Sequence, residues 1–291
     1  MIFRSMTVLL FCVSLPLFAL KVPLQVKRSV AFIFAKDSTN RLTPTGTGFF
    51  VLLNAQQNGD TANFGYLVTS KSSFMRQNGS FYDSLYLRIN RKDGYSDTLI
   101  IPMIQNGSPR YFVHQDSTVD LAMVPAYPDM NRYDFLFTPV SMVAPIDFLK
   151  KESIAEGDEL FSTGMLNSQI GLFKNIPAVR FSRIVQFSEE KYRLGKTFTE
   201  LYLIDTPFSG GSNGSPLYYY TPAAKDTGNR TVPVKFVLAG IISGHFLNAN
   251  GERTGLTSVV PAYKLTDLMN APAVAEERNK EFERLQSTKK K

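Results

Sequence analysis

The sequence predicts an all-β protein. Short segments rich in strand-forming residues alternate with proline- and glycine-containing turns along most of its 291 residues. Long stretches with the 3.6-residue helical repeat are scarce before the C-terminus. Hydrophobic residues make up 44% and aromatic residues 12% of the chain, as in an ordinary folded protein. A chain of this length buries a sizeable core, in one large all-β domain or in two smaller ones.

Residues 1–20 are predicted to be a secretory signal peptide. Arg4 precedes an apolar run from Thr7 to Leu20, which falls short of the about 20 residues that a membrane span needs. The only cysteine of the chain, Cys12, lies in this run, so the mature protein would contain no disulfide. We expect cleavage near Ala19 and a secreted or periplasmic bacterial protein without stable membrane insertion. An uncleaved anchor is the alternative.

The basic charge does not predict a nucleic-acid partner. The formal net charge of +7 comes from scattered lysines and arginines, apart from Lys289-Lys290-Lys291 at the end. No aromatic-basic repeat is present that would stack bases, so we expect a solvated basic surface with at most a weak attraction to acidic partners or lipid headgroups. Metal and phosphate motifs such as His-Glu-x-x-His and Gly-x-x-x-x-Gly-Lys are missing from the sequence, and we predict no metal site and no cofactor.

The most informative stretch is glycine-rich and runs from Ile204 to Leu217, reading I-D-T-P-F-S-G-G-S-N-G-S-P-L. It resembles the nucleophile loop Gly-x-Ser-Gly-Gly-Pro of trypsin-like serine peptidases, in a bacterial branch. The matching residues are Gly211, Gly214, Ser215 and Pro216. In this gap-free register Asn213 stands where the family has its nucleophilic serine. The resemblance also implies an oxyanion hole formed by the backbone N–H groups of Gly211 and Asn213.

Four further segments resemble the same family in the same order. Gly46-Thr-Gly-Phe resembles the second strand of its first barrel, and Phe236-Val-Leu-Ala-Gly-Ile-Ile-Ser-Gly-His resembles the strand lining its substrate pocket. Gly65-Tyr-Leu-Val-Thr-Ser-Lys-Ser puts Ser72 at the position of the general-base histidine. Val119-Asp-Leu-Ala puts Asp120 at the position of the carboxylate that orients that histidine. Only Asp120 of the three triad residues is retained.

The resemblance implies two antiparallel β-barrels with a substrate cleft between them. We place the N-terminal barrel at residues 25–140 and the C-terminal barrel at 150–270, joined by a proline-containing connector over about 127–156. A short closing helix is expected to begin near Pro261, followed by a charged tail over residues 271–291 into which the helix could extend and fray.

The predicted function is that of an exported, catalytically inactive homologue that binds a peptide or protein in the former substrate cleft. A serine hydroxyl at residue 72 does not titrate near neutrality, and the carboxamide of Asn213 offers no nucleophile. The alternative is an active hydrolase whose nucleophile has moved to Ser209, Ser212 or Ser215. A second register, Phe208-Ser209-Gly210-Gly211, would itself nominate Ser209. A third possibility is an envelope-associated protein that acts through its lysine-ended helix.

Two histidines are present, His114 and His245. His114 precedes Asp120 by six residues, and we expect it to be structural. The resemblance places His245 at the border of the primary pocket, where it could bind an acidic or amide side chain or simply face solvent. Pro207 falls at the base of that pocket, so no carboxylate is available there to attract a lysine or arginine side chain.

Overall fold

The computed structural model describes residues 22–57, 60–187, 190–194, 197–206, 209–221, 224–225, 231–232, 235–248 and 250–289. The expected signal peptide, the expected pocket residue Pro207 and the last two lysines lie outside these described residues. Across the part of the chain that is described, no helix is both long enough and apolar enough to cross a membrane.

Strands hold more of the described residues than helices do. The strands are β1 (Val30–Lys36), β2 (Leu42–Gln57), β3 (Asp60–Thr69), β4 (Ser84–Asn90), β5 (Ser96–Pro102), β6 (Ile104–Gln105), β7 (Ser108–Pro109), β8 (Phe112–Val113), β9 (Ala122–Pro125), β10 (Thr138–Pro139), β11 (Glu159–Gly164), β12 (Ala178–Phe187), β13 (Tyr192–Leu194), β14 (Thr197–Thr199), β15 (Tyr202–Ile204), β16 (Pro216–Thr221), β17 (Ala224–Lys225), β18 (Thr231–Val232), β19 (Lys235–Leu247) and β20 (Arg253–Pro261). The helices are α1 (Leu24–Arg28), α2 (Phe148–Lys151), α3 (Tyr263–Met269) and α4 (Pro272–Lys289), with 3-10 turns at Lys71–Phe74, Val140–Met142 and Asn167–Gln169.

The strands form two principal sheets, one from each half of the chain. The N-terminal sheet has the order β5-β4-β1-β2-β3-β9-β8 with antiparallel neighbours, and β10 pairs in parallel with β2. The C-terminal half closes into a barrel of β11-β12-β15-β20-β19-β16. The predicted all-β class with a C-terminal helix is therefore confirmed, and the closed C-terminal barrel beside the N-terminal sheet is consistent with the predicted two-barrel architecture.

Strand β1 has a nearly continuous hydrophobic sequence because both of its faces are covered. Ala31 and Ile33 point into the core of the N-terminal sheet, whereas Phe32 and Phe34 pack on the opposite face against Met165 of the C-terminal half. Because successive side chains of a strand point to opposite faces, a strand covered on both sides needs apolar residues at every position. β1 thus lies where the two halves meet.

The C-terminal helical region consists of two helices and extends into the charged tail. Pro261 still belongs to β20, α3 begins at Tyr263, and α4 continues the helical region through the segment expected to be a charged tail. Val274 and Phe282 of α4 are buried, and the Phe282 ring lies 5.4 Å from that of Phe64 in the N-terminal sheet. Few apolar residues among many charges gave α4 a weak amphipathic pattern, so packing rather than periodicity reveals it.

Candidate functional site

The glycine-rich loop of the C-terminal barrel is fixed against strand β2 of the N-terminal half by one buried threonine. The backbone N–H of Thr47 donates to Asn213 O at 2.7 Å, and its hydroxyl donates to Gly211 O at 2.7 Å. The same hydroxyl accepts the N–H of Met165 at 2.8 Å. Thr47 is fully buried, so water does not compete for these bonds. The loop therefore has a fixed position between the two halves.

Two glycines allow this close approach. A Cβ on Gly46 would lie 2.3 Å from Ser73 Oγ and 2.8 Å from Asn213 O. Gly214 has φ +76°, and a Cβ there would lie 2.0 Å from Thr69 Oγ1. All three distances are shorter than the contacts that real Cβ atoms make, so a side chain at either position would separate the loop from β2 and β3. The Gly-Thr-Gly and Asn-Gly-Ser motifs are adjacent in space for this reason.

Ser72, Asp120 and Asn213 lie together at this junction. The N–H of Ser72 donates to Asp120 Oδ1 at 2.8 Å, and its hydroxyl donates to Asp120 Oδ2 at 3.0 Å. Nδ2 of Asn213 donates to Ser72 Oγ at 3.1 Å. The three residues come from the 3-10 turn after β3, the segment before β9 and the loop before β16. They form one hydrogen-bonded chain from amide to hydroxyl to carboxylate.

A fourth residue, Ser243 of β19, completes the environment of the carboxylate. Its hydroxyl donates to Asp120 Oδ2 at 2.9 Å. Sequence reasoning missed Ser243, because Ile242-Ser243-Gly244 was interpreted only as part of the pocket strand. Beneath Ser72, the hydroxyls of Ser70 and Ser73 form a buried pair at 2.7 Å, which was also not expected. The run of three serines around Lys71 was the available signal for this polar cluster.

The hydrogen bonds around Asp120 do not include a general base that takes up a proton near neutral pH. Asp120 accepts three hydrogen bonds from Ser72 and Ser243. The Ser72 hydroxyl is used as a donor to Asp120 and as an acceptor from the Asn213 amide. Neither a hydroxyl nor a carboxamide takes up and returns a proton between pH 5 and 8, about the range in which an imidazole does so. These three residues can orient and bind a polar group but do not form a nucleophile–base pair.

The backbone of the loop presents amides near Asn213. Gly211 has φ +91°, Ser212 N–H donates to Ser209 O at 3.1 Å, and Gly214 N–H donates to Ile242 O at 2.8 Å. Within the described ranges, the N–H groups of Gly211 and Asn213 donate to no other residue. The expectation that these two amides form an oxyanion hole stays a prediction.

The three alternative nucleophiles are poorly placed for attack on a substrate. Ser215 is 1% exposed and Ser212 is 6% exposed. The hydroxyl of Ser212 donates to Ser209 O at 2.6 Å. The hydroxyls of Ser209 and Ser215 are buried and have no hydrogen-bond partner among the residues described. No base therefore activates any of these three hydroxyls in that part of the chain.

Neither histidine joins the cluster around Asp120. Nδ1 of His114 accepts the N–H of Asp116 at 3.1 Å, and its Nε2 lies 3.9 Å from Asp267 Oδ2 of α3. Burial is the main reason that the pKa of His114 is lowered. Its ring therefore faces α3, as a structural histidine would.

His245 is partly buried on β19, opposite Thr257 of β20 and two residues after Ser243. Burial and, to a smaller extent, the charge of Arg253 lower the pKa of His245. Its expected place at the border of a substrate pocket stays a prediction, since Pro207 at the pocket base is not described. Among the described residues, no group of three or more His, Cys, Asp or Glu side chains could hold a metal ion.

Comparisons with known proteins show the fold. No protein-family model matches the sequence, and no curated protein matches it. Similar solved structures include the MamO protease domain from Magnetospirillum magneticum in its apo form, with 17% identity, a TM-score of 0.49, and coverage of 83% of this chain and 96% of that one. The Rv3671c protease from M. tuberculosis in its active form has 14% identity, a TM-score of 0.44, and coverage of 84% and 80%.

The Grass clip serine protease of the drosophila Toll pathway has 13% identity and a TM-score of 0.50, with coverage of 86% of this chain and 70% of that one. This likeness shows that the chain has the fold of trypsin-like serine proteases, as the order of its motifs implied. At 13% identity the likeness establishes the fold alone.

Proposed function

We propose that this protein is a non-catalytic, exported member of the trypsin-like serine protease fold that binds a peptide or protein segment in the cleft between its two halves. The observation that carries the proposal is the hydrogen bond from Asn213 Nδ2 to Ser72 Oγ at 3.1 Å. Catalysis by this fold requires the reverse chemistry at these two positions, a serine hydroxyl that donates its proton to an imidazole.

The size of the expected defect follows from the roles of the missing groups. Loss of the base or of the nucleophile from such a triad reduces turnover by about six orders of magnitude. The remaining acceleration comes from binding and from the oxyanion hole, and it still needs an attacking group. Asn213 supplies none, because its amide nitrogen has no available lone pair.

Peptide binding is supported by the backbone N–H groups of the glycine-rich loop. Gly211 and Asn213 have backbone N–H groups without a partner among the described residues. The hydrogen bonds that join Ser72, Asp120, Asn213 and Ser243, which we call the Asp120 network, hold the neighbouring side chains in place. Successive amides at a turn bind anions, and a carboxylate at the C-terminus of a peptide is an anion of suitable shape. We therefore favour a peptide ligand with a free C-terminal carboxylate.

Activity is tested by treating the full chain with a fluorophosphonate probe, beside an active serine protease as a positive control. We expect no labelled serine. Labelling of one serine that a Ser→Ala change abolishes would overturn the proposal, and Ser209, Ser212 and Ser215 are the first three to change.

Binding is tested separately with short photo-reactive peptides that carry either a free or an amidated C-terminus. We expect the free-carboxylate peptides to crosslink to the loop around Asn213 and the amidated peptides to crosslink much less. Equal crosslinking of both sets at this loop would support a peptide site without carboxylate recognition. Crosslinking that avoids the loop would contradict a role for the cleft.

A further inference from the structure

Four large apolar side chains are exposed on two neighbouring segments, and none of them belongs to the hydrogen-bonded group around Asp120. They are Tyr95 at 56% exposed, Leu172 at 84%, Phe173 at 65% and Ile176 at 53%, and we call them the apolar tip. The rings of Tyr95 and Phe173 are in edge-to-face contact with centroids 6.0 Å apart, which joins the β4–β5 turn to the loop between β11 and β12. The tip is thus a single feature built from two segments.

The backbone that carries the tip is firmly held. The guanidinium of Arg88 in β4 donates to Gly171 O at 2.9 Å and to Leu172 O at 3.1 Å, and Ser96 Oγ donates to Phe173 O at 3.0 Å. Because the carbonyl groups of the loop are bonded inward to β4 and β5, the side chains of Leu172 and Phe173 are directed outward.

A second set of bonds closes the base of the same loop. Asn175 N–H donates to Asn90 Oδ1 at 2.7 Å, and Asn90 Nδ2 donates in return to Asn175 O at 3.1 Å. These bonds hold the loop in one conformation without using its largest apolar side chains. Large apolar side chains of an ordered loop usually pack into a core. A cluster of them on the surface is typical of a site that binds a partner.

The charge around the tip is positive. Between Leu160 and Ser188 the sequence contains Lys174, Arg180 and Arg183 but no Asp or Glu. Lys174 follows Phe173 directly, and Lys92 precedes Tyr95 in the β4–β5 turn. Both lysines are exposed, and neither forms an ion pair with a described residue.

The two carboxylates nearest to the tip are already neutralised by arginines. Asp93 pairs with Arg91, and Asp97 pairs with Arg91 at 3.4 Å and with Arg132 at 2.5 Å. The charges that remain available beside the apolar tip are therefore those of the lysines.

The shape of the tip distinguishes a lipid surface from a protein partner. A stable protein interface buries roughly 800 Å² per partner over a complementary surface, and a few protruding side chains do not supply that area. A bilayer interface instead accepts individual aromatic and aliphatic side chains at headgroup depth, while lysines beside them interact with anionic headgroups.

We propose that the apolar tip, with Lys92 and Lys174, is a peripheral attachment site for a membrane surface rich in anionic phospholipid. Leu172 and Phe173 enter the headgroup region, Tyr95 lies at the interface, and the lysines contact lipid phosphates. The inference is independent of what the cleft binds, since it uses none of the residues of the Asp120 network.

The experiment is flotation of the purified full chain with vesicles of phosphatidylcholine alone and with vesicles that also contain phosphatidylglycerol. We expect binding to the anionic vesicles only. The double change Leu172→Ser with Phe173→Ser should reduce this binding by more than tenfold, since each side chain is transferred from water to an apolar layer (about tenfold per 1.4 kcal/mol). Lys174→Glu should reduce it by about fivefold or more, the loss of at least one lysine contact.

Matched controls keep these results interpretable. Ile146 is 71% exposed and Lys150 is exposed, and both lie far along the chain from the tip. Ile146→Ser and Lys150→Glu should leave flotation unchanged, and circular dichroism should show all variants folded. The inference is overturned if the full chain fails to bind anionic vesicles or if the tip variants bind as well as the controls. It is also overturned if the tip variants abolish self-association in sedimentation while vesicle binding is absent, which would assign the tip to a second copy of the chain.

Discussion

The hydroxyl of Ser72 lies 3.0 Å from Oδ2 of Asp120 and donates a hydrogen bond to it, although the two residues are 48 positions apart in the sequence. The backbone N–H of Ser72 bonds the other carboxylate oxygen at 2.8 Å. In an active protease of this fold the carboxylate orients an imidazole through such a bond. In this protein Asp120 orients a serine hydroxyl, which does not take up a proton near neutral pH.

This geometry predicts that two substitutions could restore the missing groups. The double variant Ser72→His with Asn213→Ser should gain fluorophosphonate labelling at position 213, whereas wild type and each single variant should stay unlabelled. The reason is that either missing group alone costs about six orders of magnitude in rate. Mass spectrometry of the labelled peptide is the measurement.

The control for that experiment is the same double variant with Asp120→Asn, which should be labelled far more slowly because the imidazole loses its orienting carboxylate. A folded double variant that never reacts would contradict the assignment of residues 72 and 213 to the triad positions.

The close contacts around Gly214 predict that a side chain at this position strongly reduces the free energy of unfolding. Gly214→Ala should destabilise the protein by about 3 kcal/mol or more, because the new methyl meets Thr69 Oγ1 and Thr47 O at 2.0 and 2.3 Å in addition to the strain of φ +76°. Gly251 is the matched control, with φ +81° and open space around it. Gly251→Ala should cost only about 1 kcal/mol from backbone strain. Chemical denaturation measures both, and equal losses would mean that crowding at the loop is unimportant.

The buried hydrogen bonds of the Thr47 hydroxyl predict that its removal reduces the stability of the protein. Thr47→Val keeps the shape of the side chain but leaves Gly211 O and Met165 N–H without their partner in a dry site. Each buried unpaired group costs about 1–3 kcal/mol, so we expect the loss of two partners to reduce stability by about 2–6 kcal/mol in urea unfolding. Thr254→Val is the control.

The hydroxyl of Thr254 also joins a carbonyl and an N–H, those of Phe246 and Leu256, but it is exposed. Water replaces the exposed hydroxyl, and we expect a change of less than about 0.5 kcal/mol. If the two variants lost equal stability, the Thr47 bonds would not be what fixes the loop.

His114 predicts a pH dependence. Burial lowers the pKa of His114 below its ordinary value of 6.5, and the charge of Lys264 adds a smaller lowering contribution. The backbone hydrogen bond with Asp116 and the charges of Asp267 and Asp116 act in the opposite direction without cancelling the effect of burial. The folded state therefore binds fewer protons than the unfolded state, and stability falls as the pH drops below 6.5. Protonation would also remove the acceptor for Asp116 N–H.

The measurement is the difference in thermal stability between wild type and His114→Asn as the pH falls from neutral. The asparagine supplies an acceptor that does not titrate, so the variant should lose less stability on acidification. His245 also has a lowered pKa, but it remains in both proteins and cancels in the difference. Parallel curves for the two proteins would refute the prediction.

The sequence predicted the fold because each barrel segment carries a local signal of strand residues and glycines at close approaches. It also singled out Ser72, Asp120 and Asn213 by the order of motifs, and the structure places these residues in hydrogen-bond contact. Ser243 was not found, because the strand that carries it contacts Asp120 only after the barrel has closed.

The packing of the C-terminal helix and the apolar tip were not predicted from the sequence, for a related reason. Helix α4 is helical through packing of Phe282 against Phe64, a contact between distant parts of the chain. Leu172 and Phe173 resemble ordinary core residues in the sequence. Their exposure depends on the bonds from Arg88 to the carbonyl groups of this loop, which the sequence does not reveal.

The bond from Gly214 N–H to Ile242 O, 2.8 Å long, also governs how this protein ages chemically. Deamidation of an Asn-Gly pair begins when the glycine nitrogen attacks the asparagine side chain and closes a succinimide ring. Here that nitrogen donates a hydrogen bond to the neighbouring strand, so we expect Asn213 to convert to aspartate or isoaspartate more slowly in the folded protein than in the unfolded chain.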